Sequence, residues 1–441
     1  MKSISLLVAT ILGILLPLLS ESQTTPPLKL EEAIRLGLEN NKSLKISSAR
    51  VETANAKYEE AYDATLPAVK LSAGYTRLSD IEEPKIQFPG TTEPVSLFPV
   101  YVNNYMARLS VSEPVFTGFR LAYAKKAQEL LRDAARFDAG NDKEELSFTI
   151  ASAYYNLYKL EASEKLVAQN LEAIHERIRE TELWEQQGIA THNDVLRWQL
   201  QESNFQLTKI DLENNLKIAG FDFNLMIGLA ENTIVQTDTL FLQQTPPTML
   251  LAEQTSNALS KRYDLQASDN RAKVASNNLR IAQNSYWPWL SVGGNAYDDR
   301  PNPRVIPPVD EARFTWDLGV SLTWDLTNLY SNRHVIAEAK SKLTENESAH
   351  DYLSDQIRSE VNRTYTQYIQ SQEKVTVMIK AQEQAQENFR LMDSRYQNSL
   401  VTLSDLLEAN STLLQAQINL ALARADVQVA LSRLKKSTGS L

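Results

Sequence analysis

Residues 314–324, FTWDLGVSLTW, alternate between apolar and polar side chains over the whole stretch. The apolar positions are Phe314, Trp316, Leu318, Val320, Leu322 and Trp324. A repeat of two predicts a β-strand with one apolar face and one polar face. Three further segments, starting near Val69, Ala107 and Trp289, alternate in the same way, and Gly293-Gly294 is expected to disrupt the last of them. The pattern therefore predicts four two-faced strands.

The rest of the chain is predicted to be mainly helical. All 16 prolines lie outside residues 115–245 and 309–441, and proline is disfavoured inside helices because it lacks an N–H group and clashes with the preceding turn. Within the second stretch, apolar residues recur every seven positions at Leu406, Leu413, Leu420, Val427 and Leu434. This spacing predicts long helices that pack as antiparallel coiled coils.

The two halves of the chain repeat one another. Residues 109–119 match residues 320–330, and residues 184–196 match residues 395–407 at the same shift. Each half reads as helix, strand, strand, long helix, tight turn and helix. The predicted organisation is therefore a signal peptide (1–22), a first structural repeat (23–228), a linker (229–249) and a second structural repeat (250–441).

The chain begins like an exported protein. Lys2 precedes an apolar run from Ile4 to Leu19, which predicts a signal peptide cut after Ser22; a membrane anchor is the alternative, but the run is short for one. The chain has no cysteine, so neither a disulfide nor a thiol-linked lipid is expected. The net charge of −10 and scattered basic residues argue against nucleic-acid binding.

The two-faced strands allow two interpretations. In the first, they form a small sheet that covers helices and exposes its polar face to water. In the second, the apolar face meets lipid and the polar face lines a water-filled lumen. Strand length and the aromatic residues near the strand ends favour the second. Four strands cannot close around a lumen, because spanning barrels start at about eight strands, so several copies must contribute.

Enzyme chemistry has no candidate in this sequence. The four histidines stand alone, without the paired spacing of zinc sites, and no glycine-rich phosphate loop is present. We therefore expect no catalytic residue, metal site or cofactor. The two repeated turns carry Asp194 and Asp405 near the start of the returning helices, where Asn193 or Ser404 is expected to act as N-cap.

Three segments, EPVFTGFR, WDLTNLY and RYQNSLVTLSDLLEAN, together with the duplicated order of elements, resemble the TolC-like outer-membrane efflux proteins over residues 28–439. The resemblance implies a mainly α fold with a small β part, in which a homotrimer closes a 12-stranded β-barrel and an α-helical tunnel. It implies an exit duct in the outer membrane that extends into the periplasm and works with a periplasmic adaptor and an inner-membrane transporter in efflux or type I secretion. An exported coiled-coil scaffold without a pore is the alternative.

The resemblance also implies roles for the two turns. The predicted periplasmic gate comprises Asp405, Glu408, Tyr396 and Asp194. The predicted adaptor contacts are Gly188, Ile189, Thr191, Leu400 and Thr402. The apolar positions of residues 314–324 become the lipid-facing strand in contact with outer-membrane lipid. The chain departs from part of the family at Ser399, where other members have glycine, and at Val401, where some have a basic residue.

Overall fold

The computed structural model describes residues 27–83, 85–96, 99–243 and 247–441, and the predicted signal peptide lies outside them. Apart from two short strands in the first half, the helices and strands follow the same order twice. The first half contains α1 (Leu30–Asn40), α2 (Lys42–Asp63), β1 (Ala68–Arg77), β2 (Lys85–Ile86), β3 (Val95–Ser96), β4 (Asn103–Phe116), α3 (Arg120–Gln186) and α4 (His192–Ile227). The second contains α5 (Leu251–Lys261), α6 (Tyr263–Gln283), β5 (Trp289–Arg300), β6 (Arg313–Thr323), α7 (Asn328–Gln397) and α8 (Leu403–Ser437).

This order confirms the predicted mixture of long helices and a few strands, and it adds two features. Each half begins with two helices instead of one, because the backbone is extended at Asn41 and at Arg262. The short pair of β2 and β3 was not predicted, since two residues are too few to show a repeat. None of the helices in the described ranges is long and apolar enough to cross a membrane.

The chain forms two compact units, each with segments from both halves. The first unit takes in the residues up to Asn41, Leu146–Thr248 and Thr366–Arg433. The second takes in Lys42–Glu145, Met249–Tyr365 and Leu434–Leu441.

In the first unit, the predicted sevenfold row of α8 contributes to the core. Leu406, Leu420 and Val427 of α8 are buried, and so are Val167 and Ile174 of α3. Leu413 is half-buried, and it is Leu414 that is buried at this level of α8. Burial of one stripe on each helix is what coiled-coil spacing requires, and the predicted row of α8 is confirmed apart from Leu413.

The segment that follows α4 is fastened to α3 in the same unit. The Tyr154 hydroxyl donates to the carbonyl oxygen of Leu28 at 2.7 Å and accepts from the backbone N–H of Asp238 at 2.8 Å. Glu161 accepts from the backbone N–H of Thr237 at 3.2 Å. Because burial raises the pKa of Tyr154 and of Glu161, both side chains act here as structural groups in a shielded place.

The second unit contains a four-stranded antiparallel sheet in the order β1-β4-β5-β6. The expected disruption at Gly293-Gly294 was wrong, since both residues pair with β4 and with β6 in unbroken register. A Cβ atom at Gly294 would lie 2.6 Å from the Leu318 side chain. The glycines therefore mark close packing across the strands and not a break in β5.

Candidate functional site: the paired helical turns and the two-faced sheet

The two turns between the long helices have the same backbone geometry. The N–H of Ile189 donates to the carbonyl oxygen of Trp184 at 2.8 Å, and the N–H of Leu400 donates to that of Arg395 at 2.9 Å. These bonds fall at equivalent positions of the sequence repeat. The two repeated sequence segments therefore form the same turn structure.

Each turn needs one residue with positive φ, and the two repeats supply it differently. Gly188 has a φ of 74° and Ser399 a φ of 59°. Residues with a Cβ atom rarely adopt this left-handed conformation, which costs about 1–2 kcal/mol. Ser399 therefore keeps the same turn as Gly188 at the expense of backbone strain.

Both returning helices begin with a reciprocal cap. The Thr402 backbone N–H donates to Asp405 Oδ2 at 2.9 Å, and the Asp405 N–H donates to Thr402 Oγ1 at 3.3 Å. Thr191 and Asp194 make the same two bonds at 3.0 and 3.3 Å. This is a capping box with aspartate in place of the usual glutamate.

The expected N-caps Asn193 and Ser404 were therefore wrong. Thr191 caps α4, and Ser404 lies inside the first turn of α8, where its hydroxyl accepts from Arg197 of α4. Asparagine and serine are intrinsically good caps, but only the threonines have an acid three residues later at the helix start.

The caps also fix the charge of one predicted gate residue. The Thr402 hydroxyl, and then the Thr402 backbone N–H, hold the pKa of Asp405 below its ordinary value. Asp405 in the first turn of α8 and Glu408 in the second are both exposed. The structure thus presents two carboxylates side by side at one helix end, and their role as a gate stays a prediction.

A buried cluster holds the two turns together at one end of the first unit. Its members come from three helices: Ile174, Ile178, Trp198, Leu403 and Leu406. Phe389, Met392 and Tyr396 of α7 pack against it. Because all four long helices of the unit contribute, the turns that are 211 positions apart in sequence lie next to each other.

Tyr396 lies at the edge of this cluster. Burial raises the pKa of the Tyr396 hydroxyl, and the nearby Asp194 carboxylate raises it further. Among the hydrogen bonds of the described residues, none joins Tyr396 to Asp194, whose carboxylate is bonded to Thr191. The two predicted gate partners are thus close neighbours within one chain, without a direct bond between them.

Sequence reasoning missed an ion pair that lies about one helical turn from Tyr396 along α7. Arg177 Nη2 of α3 lies 2.6 Å from Asp393 Oδ1 of α7, and both side chains are largely shielded. The two residues are distant in sequence, and no local pattern connects them. This pair ties the two outgoing helices together just before their turns.

The predicted adaptor contacts lie at the surface. Ile189 is 69% exposed and Leu400 is 74% exposed, and Thr191 and Thr402 are exposed as well. A Cβ atom at Gly188 would touch nothing within 4 Å. Each turn therefore carries at its tip one large apolar side chain that is mostly exposed.

The sheet has one apolar face. Leu71 of β1 pairs with Leu109 of β4, which pairs with Ala296 of β5, and Ala296 pairs with Trp316 of β6. Since side chains on paired residues point to the same side, the apolar positions predicted in the separate strands share one face. All six predicted lipid-facing side chains are exposed there, from 51% for Trp324 to 76% for Leu318.

The opposite face is polar. Ser72 pairs with Arg108, Arg108 with Tyr297, and Tyr297 with Thr315 in the next row of the sheet. Arg108 Nη2 lies 2.9 Å from Asp299 Oδ2, and the Asp299 side chain is only 5% exposed. Charges of both signs on this face suit water-filled surroundings and not a packed apolar core.

The described residues contain no group of three or more histidine or acidic side chains that could hold a metal ion. His192 lies beside the first of the two turns, and its Nδ1 is 3.0 Å from Oε1 of Glu185.

Solved structures show the class to which this fold belongs. The outer membrane protein VceC from Vibrio cholerae superposes with a TM-score of 0.78 and 17% identity, over 93% of this chain and 96% of that one. CusC, solved in a study of transmembrane channel formation, gives a TM-score of 0.81 at 14% identity, over 93% and 92% of the two chains. The chain therefore has the same fold as these two proteins.

The sequence identifies the family. The model of the family described as outer membrane efflux protein matches residues 33–228 and 255–440, and the chain belongs to this family. The pyoverdine export outer membrane protein OpmQ of Pseudomonas aeruginosa is 25% identical over 93% of this chain and 84% of its own length. The outer membrane protein TolC of Vibrio cholerae is 22% identical over 93% and 91%. The predicted family and the outer-membrane location are confirmed.

Proposed function

We propose that three copies of this chain close one 12-stranded barrel and one helical tunnel, and that the assembly is the exit duct of a tripartite efflux or type I secretion system. The observation that carries the proposal is the two-faced sheet with open edges. Within the described residues, the outer edges of β1 and β6 pair with no other strand. An open edge is not tolerated in lipid, so each β6 needs the β1 of another copy.

The strand directions fit such a ring. All neighbours in the sheet are antiparallel, so β1 and β6 run in opposite directions. Joining β6 of one copy to β1 of the next therefore continues the alternation and closes with an even number of strands. The apolar face then meets outer-membrane lipid, and the polar face with Arg108 and Asp299 lines the lumen.

A second surface supports contact between copies. Helix α4 carries a stripe of apolar side chains that are 40–63% exposed: Leu196, Leu200, Leu207, Ile210, Ile218, Phe221 and Leu225. Their spacing of three, four, seven or eight positions is that of a helix-packing seam. A neighbouring copy in a homotrimer gives this stripe the helical partner that the single chain lacks.

The paired turns form the periplasmic end in this proposal. Asp405 and Glu408 of three copies place six carboxylates around the entrance, with Tyr396 and Asp194 at the contact between neighbouring coils. Ile189 and Leu400, at the tips of the turns, dock a periplasmic adaptor protein, whose inner-membrane transporter selects the cargo. The chain transports and does not catalyse; nothing in the comparisons supports the alternative of a scaffold without a pore.

The experiment that tests the proposal combines two measurements on the full-length protein. Purified in detergent, the protein should be a trimer, and the same trimer should conduct ions in a planar lipid bilayer. A monomer that gives no conductance would leave only the scaffold interpretation. Leu318→Arg protein, which should not insert, is the matched control for conductance by contaminants.

A further inference from the structure

The β5–β6 loop, residues 301–312, begins by folding onto the polar face of the sheet. Asn302 Nδ2 donates to the carbonyl oxygen of Arg313 at 2.6 Å and to Thr315 Oγ1 at 3.2 Å. Asn302 is 1% exposed. A buried amide with both of these bonds satisfied fixes the start of the loop against β6.

An arginine holds the next part of the loop in the same place. Arg304 forms an ion pair with Asp317, and its guanidinium carbon lies 4.1 Å from the centre of the Tyr297 ring. Asp317 also accepts from Asn295 Nδ2 at 2.8 Å. Asp317, Tyr297 and Asn295 all belong to the polar face, so the loop crosses this face and not the apolar one.

The loop spans the polar face without lying flat on it. A cavity of about 540 Å³ separates it from β1 and β4. The walls include Thr76 and Met106 on the sheet side and Pro303 and Ile306 on the loop side. Ile306 is 81% exposed, so the loop presents a large apolar side chain to solvent on the side of the sheet that carries the polar face.

We propose that residues 301–308 form a constriction at the outer end of the pore, and that Arg304 determines what passes it by holding the loop inward. The inference rests on the proposed function, since the polar face borders a lumen only if the strands close into a barrel. The loop joins the ends of β5 and β6 that lie farthest from the helices, which is the outer end when the helices are periplasmic. Three copies bring three such loops to one opening.

The composition of the segment suits a fixed obstruction. Four of its eight residues are proline, which fixes φ and leaves the backbone few alternative conformations. Its anchors are a buried amide and an ion pair that also stacks on an aromatic ring, which together exceed what a single exposed ion pair provides. The constriction is therefore set by Arg304 and its partners, and a change there should widen the opening.

The absence of cysteine from the chain allows a site-specific test. Ser321→Cys places one thiol on the polar face, four residues beyond Asp317 and about 13 Å farther along β6. Intact cells are treated with a small maleimide and with a polyethylene-glycol maleimide too large to cross the outer membrane. With the native loop, we expect the small reagent to label the thiol and the large one to be excluded.

Arg304→Gln in the Ser321→Cys background should raise the labelling rate by the large reagent about tenfold, which corresponds to about 1.4 kcal/mol. Arg300→Gln is the matched control. Arg300 pairs with Asp310 of the same loop at similar exposure, but it lies in the apolar register of the sheet. If Arg304→Gln lowers the amount of trimer, Asp317→Asn provides a second way to break the Arg304–Asp317 ion pair and free the loop.

Two results would overturn the inference, and they differ. If the large reagent labels Ser321→Cys equally fast with the native loop and with Arg304→Gln, the loop does not restrict the pore. The proposed pore function is then retained and only the inference about the loop fails. If neither reagent labels the thiol in either background while the trimer is present, the polar face is not a lumen, and the proposed function fails with the inference.

Discussion

Replacing Leu318 by arginine tests which face of the sheet meets lipid. Leu318 is the sixth of the eleven residues of β6, so it lies near the middle of the membrane if β6 spans it. Its side chain is 76% exposed in the single chain, and an arginine there would meet lipid and not protein. A lipid-facing arginine at this depth costs about 2–4 kcal/mol.

That cost corresponds to a loss of about 30-fold to about 900-fold in the equilibrium for insertion of one copy. The assay is the amount of trimer that resists SDS in isolated outer membranes, normalised to total protein. Ser321→Arg and Thr315→Arg are the controls, since each lies three residues from Leu318 on the polar face. Ser321 is the cleaner one, because Thr315 accepts a hydrogen bond from Asn302.

We expect Leu318→Arg to abolish or strongly reduce the trimer and Ser321→Arg to leave it near the native amount. Equal losses for the two faces would refute the assignment of lipid and lumen. A larger loss for Ser321→Arg would reverse it.

Three further predictions concern the turns. Tryptophan at Gly188 or Leu400 should abolish efflux in a growth assay while leaving the amount of trimer unchanged; loss of the trimer would make these residues structural. Multivalent cations added on the periplasmic side of a bilayer should bind the six carboxylates and block conductance, and alanine at both Asp405 and Glu408 should remove this block; a block that the two alanines leave unchanged would contradict the assignment. Because the capping bonds lower the pKa of Asp405, this carboxylate should stay charged at a pH where an ordinary aspartate is protonated. Ser399→Gly should raise the thermal stability of the turn by relieving positive-φ strain of about 1 kcal/mol, and an unchanged or lower melting temperature would contradict it.

Local patterns predicted the elements of this fold, because their periods are local. The alternation of residues 314–324 lies within one strand except for its last residue, and the sevenfold row that starts at Leu406 lies within one helix. Gly293-Gly294 shows the limit of such patterns. A glycine in a strand can mark a break or a close approach of the neighbours, and only the pairing with β4 and β6 decides between them.

The site was predictable where it is repeated. The sequences of the two turns recur at a fixed shift, so both turns and their acidic residues, Asp194 and Asp405, were predicted. The threonine caps were missed because single-residue preference favours Asn193 and Ser404, although the Thr-x-x-Asp spacing was readable in both turns. The ion pairs Arg108–Asp299 and Arg177–Asp393 join residues about two hundred positions apart, and only the folded chain brings them together.

The pairing of β6 with β1 of another copy is the central claim, and disulfide cross-linking measures it directly. Neighbouring strands lie about 4.8 Å apart, within the Cα distance that a disulfide spans. A cysteine at Ser72 in β1 is combined in turn with single cysteines along the polar face of β6, and membranes are oxidised. The account predicts that at least one combination yields covalent species that end at three protomers. Cross-links absent from every combination, or ladders that continue beyond three, would contradict it.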